Sequence, residues 1–294
     1  MQYGDMPAPV AAPGEVVVDI HAASVNAADW QVRIGVYGEV KQFPHILGRD
    51  FSGVGEGVSD FQVGDAVFGV CDTGQEGAYA EKMAIKASII VNKPDSISHM
   101  EAAGLGLTGL TAQVSIEDTL QLKAAETILF QGGAGGVAGI AIQLAKHIGA
   151  RVITTASAGN HDYVRGLGAD EVIDYNTVDF SEVVSDCDAV LDTVGGEVGQ
   201  RSFAVLNPGG RAAFIGSGFT APESPRDDVR SLRPQVGRDR EHLQRMVELV
   251  EAGAVTAPPI TTFDLSQAEA AHRLSESRHL RGKLVFAVSG RGDG

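Results

Sequence analysis

The spacing Gly133-x-Gly135-x-x-Ala138 sits inside the segment Glu126 to Ile153, ETILFQGGAGGVAGIAIQLAKHIGARVI. An apolar run precedes the glycines, and an amphipathic run and a second apolar run follow them. That order of strand, glycine loop, helix and strand is the fingerprint of a dinucleotide-binding loop, with Ala in the third glycine place. One glycine lets the chain turn sharply, and another lets backbone approach a pyrophosphate. The small third residue lets helix pack on strand. The N–H groups at the start of the helix then face the phosphates. The competing reading is a glycine-rich turn that holds no nucleotide. The apolar positions Val137, Ile140, Ala141, Leu144, Ala145 and Ile148 favour the first reading, because they keep the spacing of a sheet-facing helix.

The residues after the second strand bear on which dinucleotide is taken. In NAD-binding chains an Asp or Glu about twenty residues past the glycines accepts hydrogen bonds from the adenosine ribose. Here that place holds Thr154, Thr155, Ala156 and Ser157. No carboxylate is present to repel a 2′-phosphate. Ser157 has a hydroxyl to donate to one, with Asn160 and His161 nearby. NADP(H) is therefore expected in preference to NAD(H).

Two textures of sequence must position these groups. Up to about residue 100 the chain is rich in short β runs and turns, such as the alternating Glu15–His21 and the glycine-punctuated stretch from Asp50 to Val70. Ala78–Lys82 and Ile89–Asn92 read as further strands. This is the texture of a compact β-barrel. From near Gly104 strands and helices alternate, which implies a parallel, doubly wound sheet. Strands are expected at Thr127–Gln131, Arg151–Ala156, Glu171–Asp174, Ala189–Thr193 and Arg211–Ile215. Helices are expected at Gly136–Ile148, His161–Leu167 and Val198–Leu206. A sixth strand within Val229–Val236, a helix over Arg238–Glu251 and a last strand at Lys283–Val288 complete the reading.

Composition narrows the function classes. The chain has 294 residues, and 23 Lys and Arg against 38 Asp and Glu give a net charge of −15. That disfavours nucleic acid or an anionic membrane as a partner. No apolar run is long enough to span a bilayer, and the start lacks the basic and apolar regions of a secretory signal. The expected compartment is the cytoplasm. Cys71 and Cys187 are too few and too far apart for a disulfide framework or a metal-ligand cluster.

Several segments, in order, resemble the medium-chain dehydrogenase/reductase superfamily, specifically its zinc-free quinone oxidoreductase branch. They are Ala22-Ala23-Ser24-Val25-Asn26-x-x-Asp29, Leu47-Gly48-Arg49-Asp50-Phe51-Ser52-Gly53, Val63-Gly64-Asp65-x-Val67, Gly77-Ala78-Tyr79-Ala80-Glu81, Leu107-Thr108-Gly109-Leu110-Thr111-Ala112, Leu167-Gly168-Ala169-Asp170 and Gly282-Lys283. The resemblance implies an α/β chain whose Rossmann doubly wound parallel sheet is inserted in a GroES-like β-barrel substrate domain. The corresponding boundaries are 1–105 for the substrate domain, 106–240 for the NADP(H)-binding domain, and 241–294 for the return to the first. It also implies an active-site cleft between the two domains and a homodimer paired through an edge strand, with Val229–Val236 as the candidate. Relatives usually begin with an extra strand before the segment matching Pro13-Gly14-Glu15; the short, irregular start here implies a start further upstream or a barrel lacking that strand.

Zinc-dependent relatives carry Cys near the present Asp29 and a His-Glu pair where this chain has Arg49-Asp50, so no zinc is expected; Arg49 and Asp50 are expected to form a structural ion pair. Without such a Lewis acid, reduction of an electron-poor acceptor is favoured over oxidation of a simple alcohol. The family's residues fall here on Asn26, for the nicotinamide ribose or the substrate oxygen, and on Tyr37, a donor to substrate or a half-buried aromatic. Thr108 falls at the nicotinamide end, and Gly135, Gly136 and Val137 at the pyrophosphate, with Gly133 in the same loop. Tyr175 falls by the 2′-phosphate. Asp192, Ile215, Gly216 and Ser217 end strands at the ligand-binding edge. Lys283 reaches the cofactor or caps a turn. The expected activity is hydride transfer from NADPH to a small-molecule electron acceptor, a quinone or an α,β-unsaturated carbonyl compound. The alternatives are an enoyl thioester reductase, a zinc-free alcohol or ketone oxidoreductase, and a non-catalytic NADPH-binding protein.

Overall fold

The computed structural model describes residues 1–288 except 38, 39, 41, 56–60, 73, 74, 76 and 217. In chain order the first elements are β1 (Glu15–Val25), α1 (Ala27–Arg33), β2 (Asp50–Gly55), β3 (Ala66–Val70), β4 (Lys82–Lys86), β5 (Ile90–Asn92) and α2 (His99–Gln113). Next come β6 (Thr127–Gln131), α3 (Gly136–Ile148), β7 (Arg151–Thr155), α4 (His161–Gly166), β8 (Glu171–Ile173), α5 (Phe180–Val183), β9 (Cys187–Asp192), α6 (Gly196–Arg201), β10 (Leu206–Phe214) and β11 (Arg230–Leu232). The chain ends with α7 (Arg240–Glu251), β12 (Ile260–Asp264), α8 (Ala268–Glu276) and β13 (Lys283–Ala287).

The described residues fall into two compact units. One takes those of Met1–Leu107, Gly237–Ala252 and Ala257–Gly294. Its strands form a seven-stranded sheet in the order β12-β13-β1-β2-β3-β5, with β4 also paired to β1. β1 is the hub, antiparallel to β2, β4 and β13. Its residues Val16, Val18 and Ile20 alternate into a core with Phe51, Ile85, Leu284 and Phe286, all buried. The tail strand β13 therefore lies directly beside β1, although more than 250 residues separate them in sequence: Val25 pairs with Leu284.

The other unit takes Thr108–Val236 and Gly253–Thr256. Its six strands are all parallel, in the order β11-β10-β9-β6-β7-β8. That is the Rossmann order, with the reversal between β6 and β9 where such sheets bind ligands. β6 and α3 have the bounds that apolar spacing predicts. Gly149, at φ +94°, stops α3 and returns N–H groups to its last turn.

Three local expectations change. Ala78–Glu81 is not strand, and the strand begins at Lys82. The N–H groups of Gly77, Ala78 and Tyr79 bond the carbonyls of Ile46, Gly48 and Leu47 instead of a ladder. The helix expected over Val198–Leu206 runs from Gly196 to Arg201 and tightens into a 3₁₀ turn at Ser202–Val205, and Leu206 already belongs to β10. The helix expected from Arg238 starts at Arg240, because the Asp239 carboxylate caps it by accepting the His242 N–H at 2.9 Å. Among the described residues no helix is long and apolar enough to cross a membrane.

Candidate functional site

The glycine loop joins β6 to α3. Gly132, at φ +78°, makes the sharp turn. Gly133 is glycine for a different reason: a Cβ there would lie 2.2 Å from Thr154 Oγ1. Gly135 has no such neighbour, since its Cβ would meet only the Gly132 carbonyl oxygen, at an ordinary 3.4 Å. No protein atom demands glycine at 135, and the space above it is where the fingerprint places a pyrophosphate. Gly135 is the N-cap of α3, and Gly136 and Val137 open the helix. The Gly135 N–H bonds the Gly132 carbonyl at 3.1 Å, while Gly136 and Val137 stand in the first turn, where helix N–H groups lack intrahelical partners. Ala138 is 1% exposed and packs helix to strand.

A buried network holds this loop from below. Gln131, 1% exposed, accepts the Thr155 hydroxyl at 2.8 Å and donates to Ser202 at 3.1 Å. Thr155 Oγ1 in turn accepts the Gly132 N–H at 3.1 Å. The Thr154 hydroxyl donates to the Phe130 carbonyl. Both threonines are thus committed inside the unit. Ser157 is the first half-exposed hydroxyl past β7, and it accepts the Asn160 side-chain amide at 3.0 Å. His161 Nε2 lies 3.2 Å from the Ala156 carbonyl. Tyr175 is 52% exposed, after β8.

Asp192 ends β9 fully buried, and its carboxylate accepts the N–H groups of Val194 and Gly195. Burial raises its proton affinity, and those two N–H groups oppose the rise. The side chain thus fixes the 193–195 turn. Ile215 N–H bonds the Asp192 carbonyl at 2.9 Å, and Gly216 lies so near Val194 and Gly195 that a Cβ would be 2.7 Å from their backbone. Ser217 lies outside the described residues. Thr108 is buried in α2.

In the unit built around β1, a second cluster forms. Asn26 follows β1 and precedes α1. Its amide oxygen accepts Lys283 Nζ at 2.7 Å, and its amide nitrogen donates to Asp50 Oδ2 at 2.8 Å. Lys283, 5% exposed, also donates to the Val25 carbonyl at 2.9 Å. It is therefore an interior cation, and no turn cap. Asp50 further accepts the Ser24 hydroxyl and the Leu107 N–H. The Arg49–Asp50 ion pair expected from sequence does not form; Arg49 stands just before β2 and donates to the Asp72 carbonyl at 2.7 Å instead. Asp29 Oδ2 accepts the Asn26 N–H at 2.7 Å and meets the Tyr79 hydroxyl at 3.0 Å, and that hydroxyl lies 3.2 Å from His272 Nε2. Tyr37 is half-buried in the turn after α1, with its N–H on the Gln31 carbonyl.

Asp50, Tyr79, His272 and Gln131 are the members that sequence reasoning missed as parts of a site. A buried polar residue in a β run was the one available signal for the first. Nothing local marks the others, whose partners come from distant segments.

Comparison with known proteins agrees with this architecture. The alcohol dehydrogenase GroES-like domain model matches residues 12–95, and the zinc-binding dehydrogenase model matches residues 167–286. The chain belongs to the medium-chain dehydrogenase/reductase superfamily, in its quinone-oxidoreductase-like branch, and so to a class of oxidoreductases that use a nicotinamide cofactor. It is 31% identical to the mitochondrial NAD(P)H oxidoreductase RTN4IP1 of Danio rerio, covering 94% of this chain and 84% of that one. A solved quinone oxidoreductase from Coxiella burnetii superposes with a TM-score of 0.88 at 33% identity, over 97% of this chain and 94% of the other. A mycobacterial protein solved in complex with NADPH gives a TM-score of 0.88 at 30% identity, over 97% and 95%. Polyketide synthases are matched too; GfsB of Streptomyces halstedii is 32% identical over 94% of this chain, which spans 5% of that protein.

The second model's description mentions zinc. Among the described residues no three His, Cys, Asp or Glu side chains are grouped to hold a metal ion. At the cluster around Asp50 the neighbouring cation is the chain's own Lys283, 3.7 Å away. These donors do not fit a metal, and none enters the chemistry below.

Proposed function

We propose that the chain is a metal-independent reductase that passes hydride from NADPH to a quinone or an α,β-unsaturated carbonyl compound. The observation that carries the nucleotide half is the loop from Gly132 to Ala138, with only an ordinary contact at Gly135 and no carboxylate at 154–157. In this reading Gly133, Gly135, Gly136 and Val137 shape the pyrophosphate site. Ser157 and Tyr175 hold the 2′-phosphate. Thr108, Ile215 and Gly216 line the nicotinamide end, with Asp192 fixing the turn beside them. NADPH supplies the hydride when bound. The acceptor's oxygen gains negative charge as hydride arrives at carbon, so one or two donors suffice to stabilise it. Asn26 has a second amide hydrogen beyond the one given to Asp50, and Tyr37 has a hydroxyl; these are the donors we assign. Lys283 holds Asn26 in place. We read Val229–Val236, which holds the edge strand β11 of the parallel sheet, as the segment that pairs with a second copy.

Fluorescence titration with NADPH and with NADH tests the nucleotide assignment. NADPH is expected to bind more tightly, and Ser157→Asp to weaken NADPH by roughly tenfold or more while sparing NADH. Equal affinity for both, in wild type, removes Ser157 and Tyr175 from the site. For the chemistry, Asn26→Ala is expected to lower kcat by roughly 10²-fold, with NADPH affinity nearly unchanged. A variant that binds NADPH and turns over a quinone at the wild-type rate would remove Asn26 from the mechanism.

A further inference from the structure

Two carboxyl groups and one ammonium lie buried together beside β1: Asp29, Asp50 and Lys283 are 1%, 0% and 5% exposed. Unbalanced charge is strongly disfavoured in such a place. Asp50 is provided for as an anion, by the Ser24 hydroxyl, the Asn26 amide, the Leu107 N–H and the ammonium. Asp29 is provided for on one oxygen only. Its Oδ1 is buried and has no hydrogen-bond partner. One ammonium balances one carboxylate, so the second carboxyl must be neutral or the cluster carries a net negative charge.

We propose that Asp29 carries a proton in the folded protein, that this proton sets the direction of the Tyr79–His272 hydrogen-bond chain, and that Asp29 is thereby a positioning residue for Asn26. In the protonated form Asp29 Oδ2–H donates to the Tyr79 oxygen, and the Tyr79 hydroxyl donates to His272 Nε2, across the observed 3.0 and 3.2 Å. The ring proton of His272 is then on Nδ1, which is buried without an acceptor, a cost that the ionised form relieves. When the chain gives up one proton to solvent, the Asp29 proton passes to the Tyr79 oxygen, the Tyr79 proton to His272 Nε2, and the Nδ1 proton leaves, so that Tyr79 donates to the carboxylate and His272 donates from Nε2. The Asn26 N–H donates to Oδ2 in both forms. Ionised Asp29 also competes with Asp50 and Asn26 for the ammonium that holds the Asn26 side chain.

The charged surroundings agree. Burial raises the Asp29 carboxyl most and the charge of Asp50 adds to it, while the Asn26 N–H, Tyr79 and Lys283 oppose, leaving it at about 7 from an ordinary 3.8. From α8, His272 is lowered to about 4, first by burial and then by Arg33, with Glu276 opposing, so its ring stays neutral at neutral pH and reports by tautomer. Tyr79 is pushed well above its ordinary range, chiefly by burial and then by Asp29, so it stays a hydroxyl. Cys71, which feels both carboxyls and Arg49, is pushed up by burial and stays a thiol.

The test is nitrogen NMR of the His272 ring, identified by its loss in His272→Gln, from about pH 5 to about pH 9. Wild type is expected to move from the Nδ1–H to the Nε2–H tautomer through about pH 7. Asp29→Asn and Tyr79→Phe are each expected to abolish that movement. A single tautomer across the range in wild type overturns the proposal, and needs no variant to fold. A movement that persists in Asp29→Asn overturns it too. The positioning role rests on the reading of Asn26 above: kcat is expected to fall as the tautomer moves, and to lose that pH dependence in Asp29→Asn. A tautomer change with level kcat overturns the positioning role, while the reductase reading stands or falls separately on Asn26→Ala.

Discussion

Lys283→Met is expected to destabilise the protein by roughly 3–5 kcal/mol, measured by urea unfolding. The ammonium makes two hydrogen bonds, to Val25 and Asn26, and stands 3.7 Å from an Asp50 that no water reaches. Two effects oppose. Burial alone disfavours the ammonium and lowers its proton affinity, and methionine relieves that cost. Methionine also strips Asp50 of its counter-charge, and that second effect is the larger, because an unpaired buried carboxylate costs more than a paired one. Lys283→Met combined with Asp50→Asn removes both charges and is expected to recover much of the loss. A single variant within about 1 kcal/mol of wild type would falsify the view that Lys283 neutralises this cluster.

The same cluster gives stability a pH dependence of known sign. A carboxyl whose proton affinity is raised on folding contributes stability in full below its unfolded value. That contribution fades as pH rises and is gone once pH passes the folded value, here a window from 3.8 to about 7. Asp29 therefore works against folding as the solution turns neutral, the opposite of an ion-paired aspartate. The difference between wild type and Asp29→Asn isolates this, because the other titrating groups are common to both.

Gly133→Ala is expected to abolish measurable NADPH binding and to lower stability by about 1–3 kcal/mol, the range for forcing atoms into a filled interior. The added Cβ would stand 2.2 Å from Thr154 Oγ1 and 3.1 Å from Thr154 Cβ. Thr154 cannot yield, being fully buried with its hydroxyl on Phe130. The loop must lift away from β7 and carry the opening of α3 with it. Gly135→Ala separates folding from binding. Its Cβ meets only an ordinary contact, so stability is expected to hold while NADPH affinity falls by at least roughly tenfold. Normal NADPH binding by Gly135→Ala removes the pyrophosphate from that place, whatever Gly133→Ala does. Thr154→Ala in the Gly133→Ala background is expected to restore part of the lost stability, since it removes the nearest conflicting atom, Oγ1, and leaves only the Cβ at 3.1 Å.

By itself the sequence determined most of the elements and the glycine loop between β6 and α3. Local chemistry suffices for both: glycines at fixed spacing, an apolar stripe along α3, alternation along β1 and strand–helix repetition after residue 104 leave few arrangements of backbone hydrogen bonds. It failed where backbone bonding was decided from elsewhere, as at Ala78 and Tyr79, whose N–H groups are taken by the carbonyls of Gly48 and Leu47. The glycine loop was legible, yet the reason for each glycine was not. Gly133 answers to Thr154, 21 positions on, and Gly135 to no protein atom. Only the tertiary structure decided the second cluster. Asn26, Asp50, Tyr79, His272 and Lys283 carry no spacing that unites them, and the pairing of β13 with β1 is what brings the last beside the first. Once there, burial removes the water that would have solvated each charge separately. The proton on one residue then depends on the charge of another far along the chain, and no local pattern encodes that dependence.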